Sequence, residues 1–228
     1  LAWMVGQPVQ YLNSFGALTH YRAENAPAGA PARCTDGCPA EVACPWYAPR
    51  LYGALEGQPP RTEWIVTALD GGDTPMSRWQ KLQTSPYGRC VYHCDNDVVD
   101  HQVLNMQFPG DLTMTFTMHG HSDTEGRTMR WDGTRATLYG DFSDGRPYEF
   151  RICDHRSNTV EVVQPDSGAS GHGGGDEGLM NAFLRTLRGD PVQHQTSARA
   201  SLESHLMAFA AEESRHARQT IDMSAYRL

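Results

Sequence analysis

The chain has 228 residues and no stretch approaching the roughly 20 uninterrupted apolar residues that a membrane helix needs. Its N-terminus lacks the basic and apolar regions of a signal peptide, and no Asn-x-Ser/Thr glycan acceptor is present. A cytoplasmic protein with no membrane partner is the expectation. Basic residues are in the minority, 19 Lys and Arg against 27 Asp and Glu, and they are scattered. Such a chain has no electrostatic footprint for a phosphate backbone, which argues against nucleic acid and for a small-molecule ligand. The Gly-Lys-Ser/Thr ending of a P-loop is missing, as is a Gly-x-Ser-x-Gly nucleophile elbow. A Gly-x-Gly-x-x-Gly fingerprint is not expected either, so no dinucleotide site is anticipated on this chain by itself.

What is present is a globular composition, 39% hydrophobic and 20% charged, without an internal repeat or a dividing linker. One domain over 1–228 is expected. Leu1 to Val5 are good helix formers followed by Gly6 and Pro8, which reads as the last turn of a helix. Because five residues are too few for an isolated helix, residues 1–6 are expected to be the remnant of a truncated one.

Residues 7 to 20 predict a strand beginning just after Pro8, and 26 to 40, rich in Pro, Ala, Gly and Cys, predict a loop. Short helices are expected at Tyr47 to Leu55 and Thr74 to Leu82. Further on, Gln102, Leu104, Met106 and Phe108 alternate with polar residues up to Pro109-Gly110-Asp111. Leu112, Met114, Phe116 and Met118 then continue the even set opposite Thr113, Thr115, Thr117 and His119. This period of two on both sides of a turn predicts an antiparallel hairpin with one core face and one polar face. Runs at Thr128 to Trp131, Ala136 to Tyr139, Tyr148 to Cys153 and Thr159 to Val163 extend it to a meander of five or six strands.

Two helices are expected after the glycine-rich stretch Gly168 to Gly175. The first, Glu177 to Arg188, carries a stripe of Leu179, Met180, Phe183, Leu184 and Leu187 and ends at Gly189. The second, Ser197 to Arg218, sets Leu202, Leu206, Phe209 and Ala210 on one side. Strands followed by helices give an α+β fold: an open-faced, mainly antiparallel sheet with helices packed on one face.

Three constellations could carry chemistry. In Gly171-His172-Gly173-Gly174-Gly175-Asp176-Glu177, glycines at a helix start let backbone approach a ligand, and His172 could donate, accept or carry a proton. The plain alternative is a flexible turn with Asp176 as an ordinary N-cap. Cys34-x3-Cys38-x5-Cys44 lies in a loop that hydrophobic burial would hold poorly, and Cys90 or Cys94 could complete a tetrahedral zinc site. A disulfide and unligated thiols are the alternatives, with Cys153 expected in the core. Cys94 to His101, rich in Asp, could bind a cation or a polyol or be a turn, with His101 solvated or facing another subunit.

Ser14-Phe-Gly-Ala-Leu-Thr-His20, Cys34-Thr-Asp-Gly-Cys38-Pro, Cys44-Pro-Trp-Tyr and Tyr87-Gly-Arg-Cys90-Val-Tyr follow one another along the chain, and after them come Asp95-Asn-Asp-Val-Val-Asp-His-Gln102, Gly171-His-Gly-Gly-Gly-Asp176 and Ser201-Leu-Glu-Ser-His205. Together they resemble the C-terminal half of the glucose-fructose oxidoreductase/inositol dehydrogenase (Gfo/Idh/MocA) family over nearly the whole chain. The resemblance implies a preceding NAD(P)-binding Rossmann domain with a catalytic lysine. It also implies a sugar, polyol or related hydroxy compound as substrate, and a homo-oligomer built through the open sheet face. It places His172 and Asp176 as catalytic candidates and His172, Gly173, Gly174 and Asp176 around the substrate; Cys34, Cys38, Cys44 and Cys90 are the candidates for a structural zinc. On this reading the isolated chain is catalytically silent. Use of a held NAD for redox-neutral glycoside cleavage or elimination is the alternative within enzymes, and a non-catalytic assembly module the alternative outside them.

Overall fold

The computed structural model describes residues 2–69, 72–122, 125–143, 148–165, 174–190 and 198–227. A first helix, α1 (Ala2–Val5), ends at Gly6 with φ +68°, in the left-handed conformation expected of its cap. The chain then enters β1 (Tyr11–Ala17), which pairs antiparallel with β2 (His101–Gln107) from Tyr11 opposite Gln107 to Ala17 opposite His101. β2 pairs in turn with β3 (Thr113–His119), with His101 opposite His119 and Gln107 opposite Thr113. Between them Gly110 (φ +73°) and Asp111 (φ +60°) make the sharp reversal, a geometry that a glycine and an aspartate tolerate.

The alternation read from this hairpin is realised on β2 and only in part on β3, where Leu112 and Phe116 are exposed and Met114 and Met118 half-buried. Leu104, Met106 and Phe108 are buried, while Asn105, Thr113, Thr115, Thr117 and His119 face outward. The inner face is covered by α6 (Ala198–Ala217), which lies against β1 and against the short β8 (Ile221–Asp222). Val9, Leu12, Leu104, Met106, Phe108, Met207, Ala210, Ala211, Ile221 and Met223 form this core. The class is therefore α+β, an antiparallel sheet with a helix on one face and the other face open.

Four further strands, β4 (Gly126–Asp132), β5 (Ala136–Ser143), β6 (Glu149–Asp154) and β7 (Val160–Val163), lie where the four runs predicted them. They do not continue the first sheet as one meander. The described strands form two four-stranded antiparallel sheets, ordered β3-β2-β1-β8 and β4-β5-β6-β7. The hairpin's second neighbour is β1, brought back from far upstream, and no local pattern encodes that pairing. Cys153, in β6, is half-buried rather than in the core.

The helix faces also differ from expectation. In α6 Ala210 is buried and Leu206 packs against the core as expected, but Met207, Ala211 and Ser214 complete the buried side and Leu202 (52% exposed) and Phe209 (62%) stay outside. Both faces have helical spacing, but the two alanines and the serine let the backbone approach the sheet as bulkier groups would not. α5 (Gly175–Leu187) forms as predicted and is followed by Gly189 at φ +78°. Its apolar stripe of Leu179, Met180, Phe183, Leu184 and Leu187 is exposed, and no residue of this helix is buried.

β8 covers only Tyr11 and Leu12, so the β1 edge beyond them has no strand to bond. The Ser14 amide instead donates to Ser214 Oγ at 2.9 Å, and that hydroxyl donates to the Gln219 carbonyl at 2.6 Å. Ser214 is 1% exposed. Ser214→Ala is expected to strand the Ser14 amide and lower stability by about 2 kcal/mol. A urea melt checks this, and an unchanged midpoint contradicts it.

Residues 26–94 build a second core. Besides long loops they contain α2 (Ala48–Leu51), α3 (Glu63–Thr67) and α4 (Pro75–Thr84). α2 is shorter than the predicted helix because Gly53 takes φ +60° just after it. α4 begins at Thr74 as predicted: Thr74 Oγ1 accepts from the Ser77 amide at 3.1 Å and Ser77 Oγ from the Thr74 amide at 3.0 Å, a reciprocal cap. Cys34, Cys38, Tyr47, Ala48, Ala54, Leu69 and Leu82 are buried together here, with Cys44 and Trp79 packed against them.

Candidate functional site

Two of the glycine-loop candidates, His172 and Gly173, lie outside the described residues. Gly174 caps α5 at φ +87°, and Asp176 stands in its first turn beside Glu177, where the helix dipole favours acidic groups. Gly173-Gly174-Gly175-Asp176-Glu177-Gly178 does spell the spacing of a dinucleotide fingerprint. Among the described residues its setting offers no parallel strand: every described strand pair is antiparallel.

The acidic segment before β2 resolves into different roles. Asp95 pairs with Arg89 at 2.8 Å on the surface. Asp100 is 3% exposed and turns inward, where its Oδ2 accepts from the amides of Thr19 (2.9 Å), His20 (2.6 Å) and Tyr21 (3.4 Å). Its Oδ1 accepts from the Thr19 hydroxyl at 3.3 Å and contacts His101 Nδ1 at 2.8 Å. The Asp100 amide donates to the Ala17 carbonyl at 3.0 Å. Burial pushes this carboxyl up, but the His20 amide, His101 and the Thr19 and Tyr21 amides together hold it well below the usual carboxylate range. One anion thus fixes the turn leaving β1 to the start of β2.

That turn delivers His20 to a cluster made from four parts of the chain. Trp46 Nε1 donates to His20 Nε2 at 3.2 Å, and the Tyr92 hydroxyl meets the same nitrogen at 3.3 Å. An indole only donates, so Nε2 accepts and the neutral ring carries its proton on Nδ1. The rings of Tyr21 (4.9 Å), Tyr92 (5.5 Å), His121 (5.5 Å) and Trp46 (6.3 Å) surround the His20 ring, all tilted or edge-on. His119, outward on β3, comes within 6.4 Å of His121. The Tyr21 hydroxyl donates to the Gly120 carbonyl at 3.1 Å, tying the turn to the end of the hairpin. Burial raises the Tyr21 phenol above its usual range, with Tyr92 and Asp100 adding to it.

His101 completes the group. Its Nδ1 is held by Asp100 and its side chain is 36% exposed, so in the neutral ring Nε2 is the acceptor. The sequence singled out His101 and left it on a solvated or subunit-facing surface. The structure gives it a buried carboxylate partner and places it across from His119. His20, Trp46, Tyr92 and His121 escaped the sequence reading, although the quoted Ser14–His20, Cys44–Tyr47 and Tyr87–Tyr92 segments contain the first three. Aromatic walls with imidazoles that donate and accept suit a hydroxylated small molecule and proton exchange with its hydroxyl groups.

The thiols lie directly behind this cluster. Cys34 and Cys38 are buried in the second core with Cys44 against them. Cys90 is brought in by a two-residue bridge: Arg33 pairs with Arg89, the Cys34 amide donates to the Gly88 carbonyl at 2.9 Å, and the Cys90 amide to Ala32 at 2.8 Å. Burial raises the Cys34 and Cys44 thiols above their usual range. Cys90 and Cys38 raise both further. Cys94 donates to the Cys90 carbonyl at 3.4 Å. Compared with known proteins, the chain matches no protein-family profile and no curated sequence.

Proposed function

We propose that this chain is the substrate-binding and oligomerisation part of an NAD(P)-dependent oxidoreductase acting on a sugar, polyol or related hydroxy compound. The observation that carries the reading is the His20 cluster, where a buried carboxylate, four histidines and three aromatic residues from distant segments meet at one end of an open sheet. The resemblance of its ordered motifs to the Gfo/Idh/MocA family supports it. Among the described residues no parallel strand–turn–helix unit stands ready for a dinucleotide, and the resemblance assigns the nicotinamide chemistry to a preceding domain. Here His101, oriented by Asp100, exchanges a proton with a substrate hydroxyl, and Trp46 and Tyr21 offer ring faces to its C–H groups. His172 and Asp176 remain candidates for the same substrate. The open face of the first sheet, with Tyr11, Phe15, Asn105 and the β3 threonines outward, is the surface proposed for a second copy. Among the described residues no helix is long and apolar enough to cross a membrane.

Hydride transfer to NAD or NADP from a panel of sugars and polyols tests this reading, using the chain alone and the protein joined to its nucleotide-binding half. No turnover is expected from the first and substrate-dependent reduction from the second. His20→Ala and His101→Ala are each expected to lower kcat/KM at least tenfold, about 1.4 kcal/mol, with Thr115→Ala on the open face nearly silent. Sustained turnover by the 228-residue chain alone, or unchanged kcat/KM in both histidine variants, overturns the proposal.

A further inference from the structure

Resting on the reading above, we infer that the hydroxylated substrate of the His20 cluster carries an oxyanion, as a sugar acid or a sugar phosphate does, and that His20, His119 and His121 receive it. The geometry that points to it is a convergence of imidazoles whose neighbouring acids are already engaged. The His121 ring lies 5.5 Å from that of His20 and 6.4 Å from that of His119, and the Tyr21 ring stands 4.9 Å from His20 and 6.3 Å from His121. His119 and His121 are exposed and His20 is half-buried, so a ligand can reach all three. Trp46 and Tyr92 occupy His20 Nε2, which leaves its Nδ1–H to donate.

Asp100, Glu24 and Asp95 do not compete for these rings. Asp100 is 3% exposed and is taken up by the amides of Thr19, His20 and Tyr21, the Thr19 hydroxyl and His101. Glu24 pairs with Arg22 at 3.3 Å and Asp95 with Arg89 at 2.8 Å. Among the described residues no ion pair engages His20, His119 or His121. Nor are any three Cys, His, Asp or Glu side chains there placed to hold a metal ion, these histidines and the buried cysteines included. Arg61 adds a positive charge that acts on the Tyr21 phenol and opposes the rise caused by burial.

The chain as a whole carries a formal charge of −8, so a donor-rich patch is a local exception that draws anions where the rest of the surface repels them. An oxyanion accepts charge-assisted hydrogen bonds from imidazolium and is rewarded more than a neutral hydroxyl in the same place. Held there, the substrate leaves a hydroxyl to His101, which Asp100 orients and which β2–β3 pairing sets opposite His119.

The test is calorimetric titration, with NMR of the histidine rings, on the chain alone and on the protein joined to its nucleotide-binding half. The probes are matched neutral, uronate and 6-phosphate forms of glucose and galactose, with inorganic phosphate beside them. At least one oxyanion form is expected to bind about tenfold tighter than its neutral sugar and to shift the ring signals of His20, His119 and His121, and the two arms tell carboxylate from phosphate. For the uronates the preference is expected to shrink from about pH 6 to about pH 8, because imidazole loses its charge in that range and a uronate does not change its own. His119→Gln and His121→Gln, both at exposed positions, are expected to narrow the gap between charged and neutral forms. Equal binding of charged and neutral sugars at the cluster would overturn the inference and leave the oxidoreductase reading standing. Inorganic phosphate binding as tightly as the sugar phosphates would reduce the patch to a general anion site and overturn it too. No sugar of any form shifting these rings would remove both this inference and the cluster as substrate site.

Discussion

Asp100→Ala is expected to remove on the order of 4 kcal/mol of stability, the largest effect of any single side-chain truncation in the first sheet. Three consecutive amides at Thr19, His20 and Tyr21 converge on this carboxylate, and all would be left in a nearly dry site without an acceptor. Asn at the same place keeps one oxygen but turns an N–H2 group toward donors, so Asp100→Asn is expected to retain about half of the lost stability.

The acid limb of stability carries a second signature. A carboxyl held below its unfolded value of about 3.9 contributes stability that is complete above that pH and is lost as pH falls through the folded value. Unfolding between pH 4 and the acid extreme is therefore expected to be less steep in Asp100→Asn than in the unmutated chain. The same variants release His20 and His101 from their fixed orientations, so ring signals of both histidines should shift in NMR spectra even at pH 7. Urea melts and an acid titration check the stability effects. A loss below about 1 kcal/mol for the alanine variant would show that the amides find other acceptors.

Gly88→Ala is expected to be as severe, for a steric reason. A Cβ built there would lie 1.8 Å from the Leu82 carbonyl oxygen and 2.7 Å from its carbon. Neither side can yield cheaply. The Leu82 carbonyl accepts from Arg33 Nη2 at 2.7 Å, and the Gly88 carbonyl accepts from the Cys34 amide. Separating them breaks the bridge that joins Cys34 to Cys90 and moves Tyr92 away from His20. A loss on the order of 4 kcal/mol and rapid proteolysis within 30–90 are expected. Gly178→Ala is the contrasting substitution: it lies within α5 with nothing within 4 Å of the added methyl, and should raise stability by about 0.5–1 kcal/mol. A protease-resistant Gly88→Ala protein with an unchanged urea midpoint would mean that the 82–90 backbone is placed differently.

The elements read most directly from the sequence are those whose signal is local. The β2–β3 hairpin follows from even-numbered apolar residues around Pro109-Gly110-Asp111; even positions pair with even ones as the pattern requires, and the buried face is realised on β2, while Leu112 and Phe116 stay exposed. Thr74 and Gly189 mark helix ends by capping chemistry that acts within four residues. In the candidate site the cysteine spacing was visible, and so was the acidic run before β2. The role of each acid was not, because Asp95, Asp97 and Asp100 have the same chemistry and differ only in which way the backbone turns them.

Residues 20, 46, 92 and 121 illustrate what lies beyond a local pattern. Each is an ordinary loop aromatic or histidine in sequence, and nothing in its neighbours states which distant loop it will meet. The same holds for α6, where Leu202 and Phe209 offer a more hydrophobic face than Met207, Ala210, Ala211 and Ser214. Hydrophobicity alone favours the first face; close approach of helix to sheet, with Ser214 serving the unpaired edge of β1, favours the second. By itself the sequence determined the α+β class, the positions of β2 to β7, α4 and α5 and the polar open face, since periodicity and capping are properties of neighbouring residues. The tertiary structure alone decided the division into two sheets, the bridge that brings residues 88–90 against 32–34 and the His20 cluster, since these depend on contacts closed across many tens of residues.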